Sequence, residues 1–243
     1  MSKEMKKWWD FKAKSSTEAD LYLYIEIAWW GAGGIAHSAQ SFKAELDSFG
    51  AIETLNIYIN SPGGDVFEGI AILNMLKRHK AFKNVYVDGI AASIASVIAT
   101  CGDKIFMPAN AMQMIHNAWT IVAGSAADLR TAADTLEKIN DTTVKQSYLD
   151  RSGGKLDEAT LTDLMDKESW LSAQDCLDYG LCDEILGAKQ IAAMYDKTVL
   201  SAFTNVPEAL KGEEPEQDAN AISEAEFSQK SAYVKSILDK YRD

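Results

Sequence analysis

The chain is poor in the residues that staple or metallate a small protein. Its 243 residues include three cysteines (Cys101, Cys176, Cys182) and three histidines (His37, His79, His116). The cysteines are odd in number and form no C-x-x-C pair, so neither a disulfide framework nor a zinc site is expected. Reduced thiols fit a cytoplasmic protein. No stretch reaches the ~18 apolar residues of a membrane span, and the most apolar run, 90–101, reads as a buried helix. Positive charge is also scarce. Lys and Arg number 24 against 36 Asp and Glu, a net charge of −12, which argues against a nucleic-acid or anionic-membrane surface. The glycines of "WWGAGGIAHS" complete neither a G-x-G-x-x-G nor a P-loop pattern, so no nucleotide or other cofactor is expected. The opening "MSKEMKKWWDFKAK" has no apolar stretch of seven or more behind its charges, so no secretory signal is expected there.

What is present is an alternation of short strands and helices. "LYLYIEI" (21–27), "LNIYINSPGG" (55–64) and "NVYVDGI" (84–90) read as strands, and "KIFMPANAMQMIH" (104–116) as strand, turn and strand. Amphipathic helices are expected over 36–49 and 65–80, the second with Val66, Ile70 and Leu73 on one face. Ser125 and Asp128 have capping-box spacing ahead of a long helix, 126–151, stopped by Gly153 and Gly154. The spacing recurs at Ser172 and Asp175 before a short helix ending near Gly180. Alternating strands and helices predict an α/β core. Beyond Leu186 the composition changes: "GEEPEQDANA" (212–221) reads as a solvated linker, and Ser223 and Glu226 cap a last helix with Phe227, Val234, Ile237 and Tyr241 on one stripe.

Two residues stand out as candidates for chemistry. Ser93, in "GIAASIAS", falls where an apolar run leaves a glycine and starts a helix. There it serves equally well as a small cap or as a nucleophile beside free backbone N–H groups. His116 ends "MQMIH" and emerges from a strand, placed either as a structural ring or as a general base. His79 lies in the basic helix end "KRHK" and His37 in the glycine-rich loop. Gly63 and Gly64 make a turn, and a glycine pair at a strand end also lets a backbone N–H face a ligand with no Cβ in the way.

Taken in order, "INSPGG", "GIAAS", "MIH" and "WLSAQDCLDYGLCDEI" closely resemble the Clp protease proteolytic subunit family (ClpP), self-compartmentalised serine peptidases, over about residues 21–186. "INSPGGDVFEGIAILNMLKRH", "VDGIAASIAS" and "ESWLSA" are closest in look to the phage and prophage members that mature the procapsid. The resemblance implies an α/β fold of the ClpP/crotonase-like type, built of repeated β-β-α units, with the long helix 126–151 as a handle between rings. It implies Ser93 as nucleophile, His116 as general base, and an oxyanion hole at Gly64 and Ile94 with Gly63 shaping the turn. Housekeeping members carry aspartate where "DLMDKESWLSA" places Glu168, so Glu168 is the acid in register and Asp166 and Asp163 are the alternatives.

These implications divide the chain into an N-terminal segment (1–20), a protease domain (21–186) and an acidic linker with a helical extension (187–243). They give a polypeptide substrate, capsid or scaffold protein in the phage case, and a homo-oligomeric ring, heptameric or doubled. The N-terminal segment does not look like the axial loops of housekeeping subunits, which speaks against an ATPase partner. Three other readings stay open: a housekeeping subunit working with an unfoldase, a catalytically inert assembly protein, and an acyl-CoA enzyme of the crotonase fold.

Overall fold

The computed structural model describes residues 7–27, 38–187, 203 and 205–207. The chain divides into two units, Met1–Val206 and Pro207–Asp243. Except for Pro207, the second unit lies outside the described residues, and with it the expected linker and last helix.

One eight-stranded sheet organises the first unit, in the order β1-β2-β3-β4-β5-β8, with β6 bridging β4 and β7. The strands are β1 (Asp10–Ala13), β2 (Glu18–Leu23), β3 (Thr54–Ser61), β4 (Phe82–Ala92), β5 (Lys104–Pro108), β6 (Met112–Ile115), β7 (Ser169–Ser172) and β8 (Glu184–Leu186). Only the β1–β2 and β6–β7 pairings are antiparallel. The parallel centre is covered on its faces, so β3 buries Leu55, Ile57 and Ile59 and also Asn56 and Asn60. Tyr22, Tyr58, Tyr86 and Phe106 stack across β2, β3, β4 and β5 at centroid spacings of 4.8–5.1 Å.

β4 is the strand that matters for the site. Its first part pairs with β5, Asn84 opposite Lys104, and its last residues pair with β6, Ile90 opposite Met112. Between these parts the register with β3 shifts at Ile59/Ser61, and Asn60 Oδ1 accepts from the Ile90 N–H at 3.2 Å. Such a bulge bends and re-aims a strand. The sequence reading of 90–101 as one helix is corrected here. Ile90, Ala91 and Ala92 continue β4, because β6 supplies their ladder partners, and small apolar residues suit strand and helix alike.

Seven helices are described. α1 (Ala39–Ser48) buries Phe42 and Leu46, with Phe42 in aromatic contact with Trp8, Trp9 and Phe11. β1 and the start of β2 thus join the main sheet from within the stretch read as an N-terminal segment. α2 (Val66–Arg78) starts at Asp65, whose side chain accepts from the Glu68 N–H, and ends in Lys77 and Arg78, which suit the dipole. α3 (Ile94–Ala99) is short and wholly buried. α4 (Ala126–Ile139) begins with the expected Ser125/Asp128 box, and a π-helical turn, Asn140–Val144, leads into α5 (Lys145–Ser152). Gly153, at φ 60°, ends α5 in the left-handed conformation. α6 (Glu158–Asp166) was not expected from the sequence, whereas α7 (Ala173–Asp178) starts from the Ser172/Asp175 box as read.

Candidate active site

Ser93 sits at the junction of β4 and α3 with φ 54° and ψ −131°, a conformation that side chains larger than glycine rarely adopt. A residue held there stores strain of about 1–3 kcal/mol, kept only where the surroundings over-determine it. They do so here. The Ser93 N–H donates to Met114 O on β6 at 2.9 Å, and Ala92 and Ile94 on either side are buried. Ser93 holds the N-cap position of α3 without capping it, since its side chain accepts no backbone N–H. Instead Oγ lies 2.7 Å from Nε2 of His116.

His116 follows β6, which β4 holds on one side and β7 on the other. Burial pushes its pKa below the ordinary 6.5, and the negative charge of Glu168 opposes that shift. The ring is therefore neutral near pH 7 and can take a proton from the serine hydroxyl. Of the other histidines, His79 is the C-cap of α2 and its Nδ1 accepts from the Ala81 N–H, and His37 lies outside the described residues. The cysteines offer no competing nucleophile. All three are buried, and burial pushes Cys101 up to about 12, Cys182 up to about 11 and Cys176 well above its ordinary value.

The three acids expected near His116 have different occupations. Asp163 forms an exposed ion pair with Lys167 at 2.6 Å, and Asp166 accepts from Asn117 Nδ2 at 2.7 Å. Glu168 is the carboxylate whose charge acts on His116. It occupies the turn between α6 and β7 at φ 50°, and its Oε1 accepts from the Asn205 N–H at 3.0 Å.

The Ser-Pro-Gly-Gly turn reaches the same place from β3. Gly63, at φ 94°, abuts Ser93 so closely that a Cβ there would stand 2.6 Å from Ala92 O, 2.8 Å from Ser93 Cβ and 3.1 Å from Ile94 N. Its own N–H is bonded to Ser61 Oγ and its carbonyl to the Ile27 N–H. Gly64, at φ 142°, lies against Ile27, where a Cβ would fall 2.0 Å from the Ile27 carbonyl oxygen. The turn thus brings Gly63 against Ser93 and the first N–H of α3. A helix N-terminus leaves such donors without intrahelical partners.

Several supporting residues escaped the sequence reading. Ser96 Oγ donates within reach of Ser93 O (2.6 Å) and Met114 O (3.0 Å) and meets Tyr148 Oη at 2.7 Å, a buried knot tying α3, β6 and α5 beneath the serine. Asn140, which opens the π-helical turn, accepts from the Ala118 N–H at 2.8 Å and so anchors the strand exit just past His116. Phe203 meets the His116 ring edge to face. The two serines of "GIAASIAS" were one available signal, since the second had no assigned work. The others come together from distant sequence positions. Among the described residues, no group of His, Cys, Asp and Glu could hold a metal ion, and no helix is long and apolar enough to cross a membrane.

Comparison with known proteins gives the family. The model of the Clp protease family matches residues 13–189. The ATP-dependent Clp protease proteolytic subunit of Streptococcus salivarius is 33% identical over 150 residues, 60% of this chain and 75% of the relative. The subunit of the same name from Streptococcus pneumoniae (strain Hungary19A-6) is 36% identical over 145 residues, 58% of this chain and 72% of the relative. The mixed α/β sheet with its helices is a ClpP-like fold, and the chain belongs to the Clp protease family.

Proposed function

We propose that this Clp-family protease is a serine endopeptidase in which Ser93 attacks the peptide carbonyl, His116 accepts its proton and Glu168 orients the imidazole. The observation that carries the reading is the 2.7 Å approach of His116 Nε2 to Ser93 Oγ at a strained strand-to-helix junction. His116 Nε2 takes the hydroxyl proton as Oγ bonds to the carbonyl carbon, then returns it to the leaving amine as the acyl-enzyme forms. Water repeats the cycle in the second half. The negative oxygen of each tetrahedral intermediate is held by the amides of Gly64 and Ile94, with Gly63 shaping the turn. A preorganised donor of this kind is worth about 3 kcal/mol in the transition state. Glu168 does not take the proton; its charge stabilises the imidazolium. Asp163 and Asp166 are held by Lys167 and Asn117 and have no such part.

The substrate is polypeptide, and a homo-oligomeric ring encloses the site. α4 supports the ring, since its fourteen residues bury no side chain, and Trp119, Ile121 and Leu129 stand exposed beside it or on it. An isolated helix of that length draws little stability from propensity alone. On the resemblance of "INSPGGDVFEGIAILNMLKRH", "VDGIAASIAS" and "ESWLSA", the enzyme is a phage or prophage head-maturation protease acting on capsid or scaffold protein in the bacterial cytoplasm. The names of the streptococcal relatives, ATP-dependent Clp protease proteolytic subunits, favour a second reading, a proteolytic subunit partnered by an ATPase.

Ser93→Ala and His116→Ala, assayed with a fluorogenic peptide and a fluorophosphonate probe, are expected to abolish cleavage and labelling. Unchanged labelling of the serine variant removes the assignment. Incubation with procapsid proteins, and separately with an unfoldase plus ATP, separates the two biological readings.

A further inference from the structure

We infer that Phe203 and Asn205 are positioning residues for the acid–imidazole pair, so that chain beyond the Clp protease match completes the catalytic apparatus. The inference rests on the serine endopeptidase reading and deepens it. The family match ends at residue 189, and both residues follow it within the same unit as the site.

Four contacts converge. The Asn205 N–H donates to Glu168 Oε1 at 3.0 Å, and the Asn205 Nδ2 donates to the Lys167 carbonyl at 2.8 Å. The Phe203 ring stands edge to face on His116, with centroids 5.8 Å apart and planes at 78°, and on Trp170 at 6.0 Å and 82°. Asn205 therefore clamps two consecutive residues: Lys167, the C-cap of α6, and Glu168 in its left-handed conformation. A glutamate has one more rotatable bond than an aspartate, so its carboxylate carries more rotamer freedom to restrain. A backbone N–H fixed on one carboxylate oxygen supplies that restraint and leaves the other oxygen for further partners.

Phe203 acts on the imidazole. It bridges His116 and Trp170 and so adds apolar cover to the imidazole. Desolvation favours neutral imidazole, the form that accepts the serine proton. The polar groups that face or flank His116 from the packed elements are the Ser93 hydroxyl at the β4–α3 junction, the Glu168 carboxylate before β7, and Asp166 at the end of α6, tied to neighbouring Asn117. Phe203 adds no charge to this set, so its effect is burial.

The test uses the full chain and a fluorogenic peptide, with kcat, KM and the pH profile of kcat/KM measured for each variant. Asn205→Pro removes both the N–H and the Nδ2 donor and is expected to lower kcat at least about tenfold at unchanged KM, the weight of a hydrogen bond to a charged group and one to a carbonyl. In a Glu168→Gln background the same change is expected to cost less than twofold, since the two act as a unit. Phe203→Ala is expected to move the acid limb upward by on the order of half a pH unit, and Phe203→Tyr to restore it. If Phe203→Ala fails to fold by circular dichroism, Phe203→Leu reads the same limb. Wild-type kcat and superimposable acid limbs in the folded variants, with Ser93→Ala inactive, overturn the inference. So does a rise in kcat, which marks the segment as an obstruction. An active Ser93→Ala enzyme instead overturns the endopeptidase reading beneath it.

Discussion

Ser93 and Glu168 share one backbone feature, a positive φ of 54° and 50° respectively, found at no other non-glycine residue among those described. Their surroundings differ at nearly every point. Ser93 is set by the core: Gly63 lies so near that a Cβ there would fall 2.8 Å from Ser93 Cβ, β6 holds its N–H, and Ser96, itself bonded to Tyr148, braces its carbonyl. Glu168 is set nearer the periphery, on a turn held by its own N–H on Met165 O and by exposed hydrogen bonds from Asn205. Strain at both positions is expected of a functional site, but only the serine is over-determined by buried contacts. In the proposed apparatus the nucleophile is therefore the rigid half. The acid half is adjustable, and more easily retuned by residues outside the family segment.

Substitutions sharpen that contrast. The largest effect is expected at the rigid end, where Ser93→Ala or His116→Ala should lower kcat about 10⁶-fold, because the pair acts as a unit. Glu168→Gln should cost less, about 10²- to 10⁴-fold. A loss equal to that of Ser93→Ala would erase the distinction between the halves. Next comes Gly63→Ala, whose Cβ would meet Ala92 O at 2.6 Å and Ser93 Cβ at 2.8 Å. It should reduce kcat about 10²-fold through a displaced oxyanion turn, with a lower melting temperature.

Smaller effects follow. The acid limb of kcat/KM reports His116 losing its proton, so its midpoint should lie below 6.5, as burial dictates. Glu168→Gln removes the charge that raises this pKa and should move the limb further down, opposite in sign to Phe203→Ala. Tyr148→Phe should leave activity within a few-fold while lowering stability by about 1–2 kcal/mol, since it takes one partner from the buried Ser96 hydroxyl. Urea unfolding at neutral pH measures this.

Much of the site was legible because its parts lie in short, distinctive segments. "SPGG" had to turn, "GIAAS" had to change from strand to helix, and "MIH" had to leave a strand. The boundary inside 90–101 was not legible. Ala91 and Ala92 are compatible with either structure, and only pairing with Met112–Ile115 makes them strand. α6 was passed over although Asp157 caps it, its side chain accepting from the Thr160 N–H. Its buried residues, Leu161 and Met165, are too few to stand out as a periodic stripe.

By itself, the sequence determined the local chemistry: where glycine permits a positive φ, which serine and histidine are available, where Ser125 and Ser172 start helices, and that a reduced, acidic α/β protein would result. The tertiary structure alone gave the three nearby carboxylates their different partners, Lys167 for Asp163, Asn117 for Asp166 and Asn205 for Glu168. It also decided that Ser96 and Tyr148 brace the serine, that Asn205 meets Glu168 and that Phe203 meets His116. The reason is physical. Caps and turns are settled within a few residues by hydrogen bonds and sterics, whereas a partner 37 positions away, as Asn205 is from Glu168, is chosen only when the sheet and its helices have closed the distance.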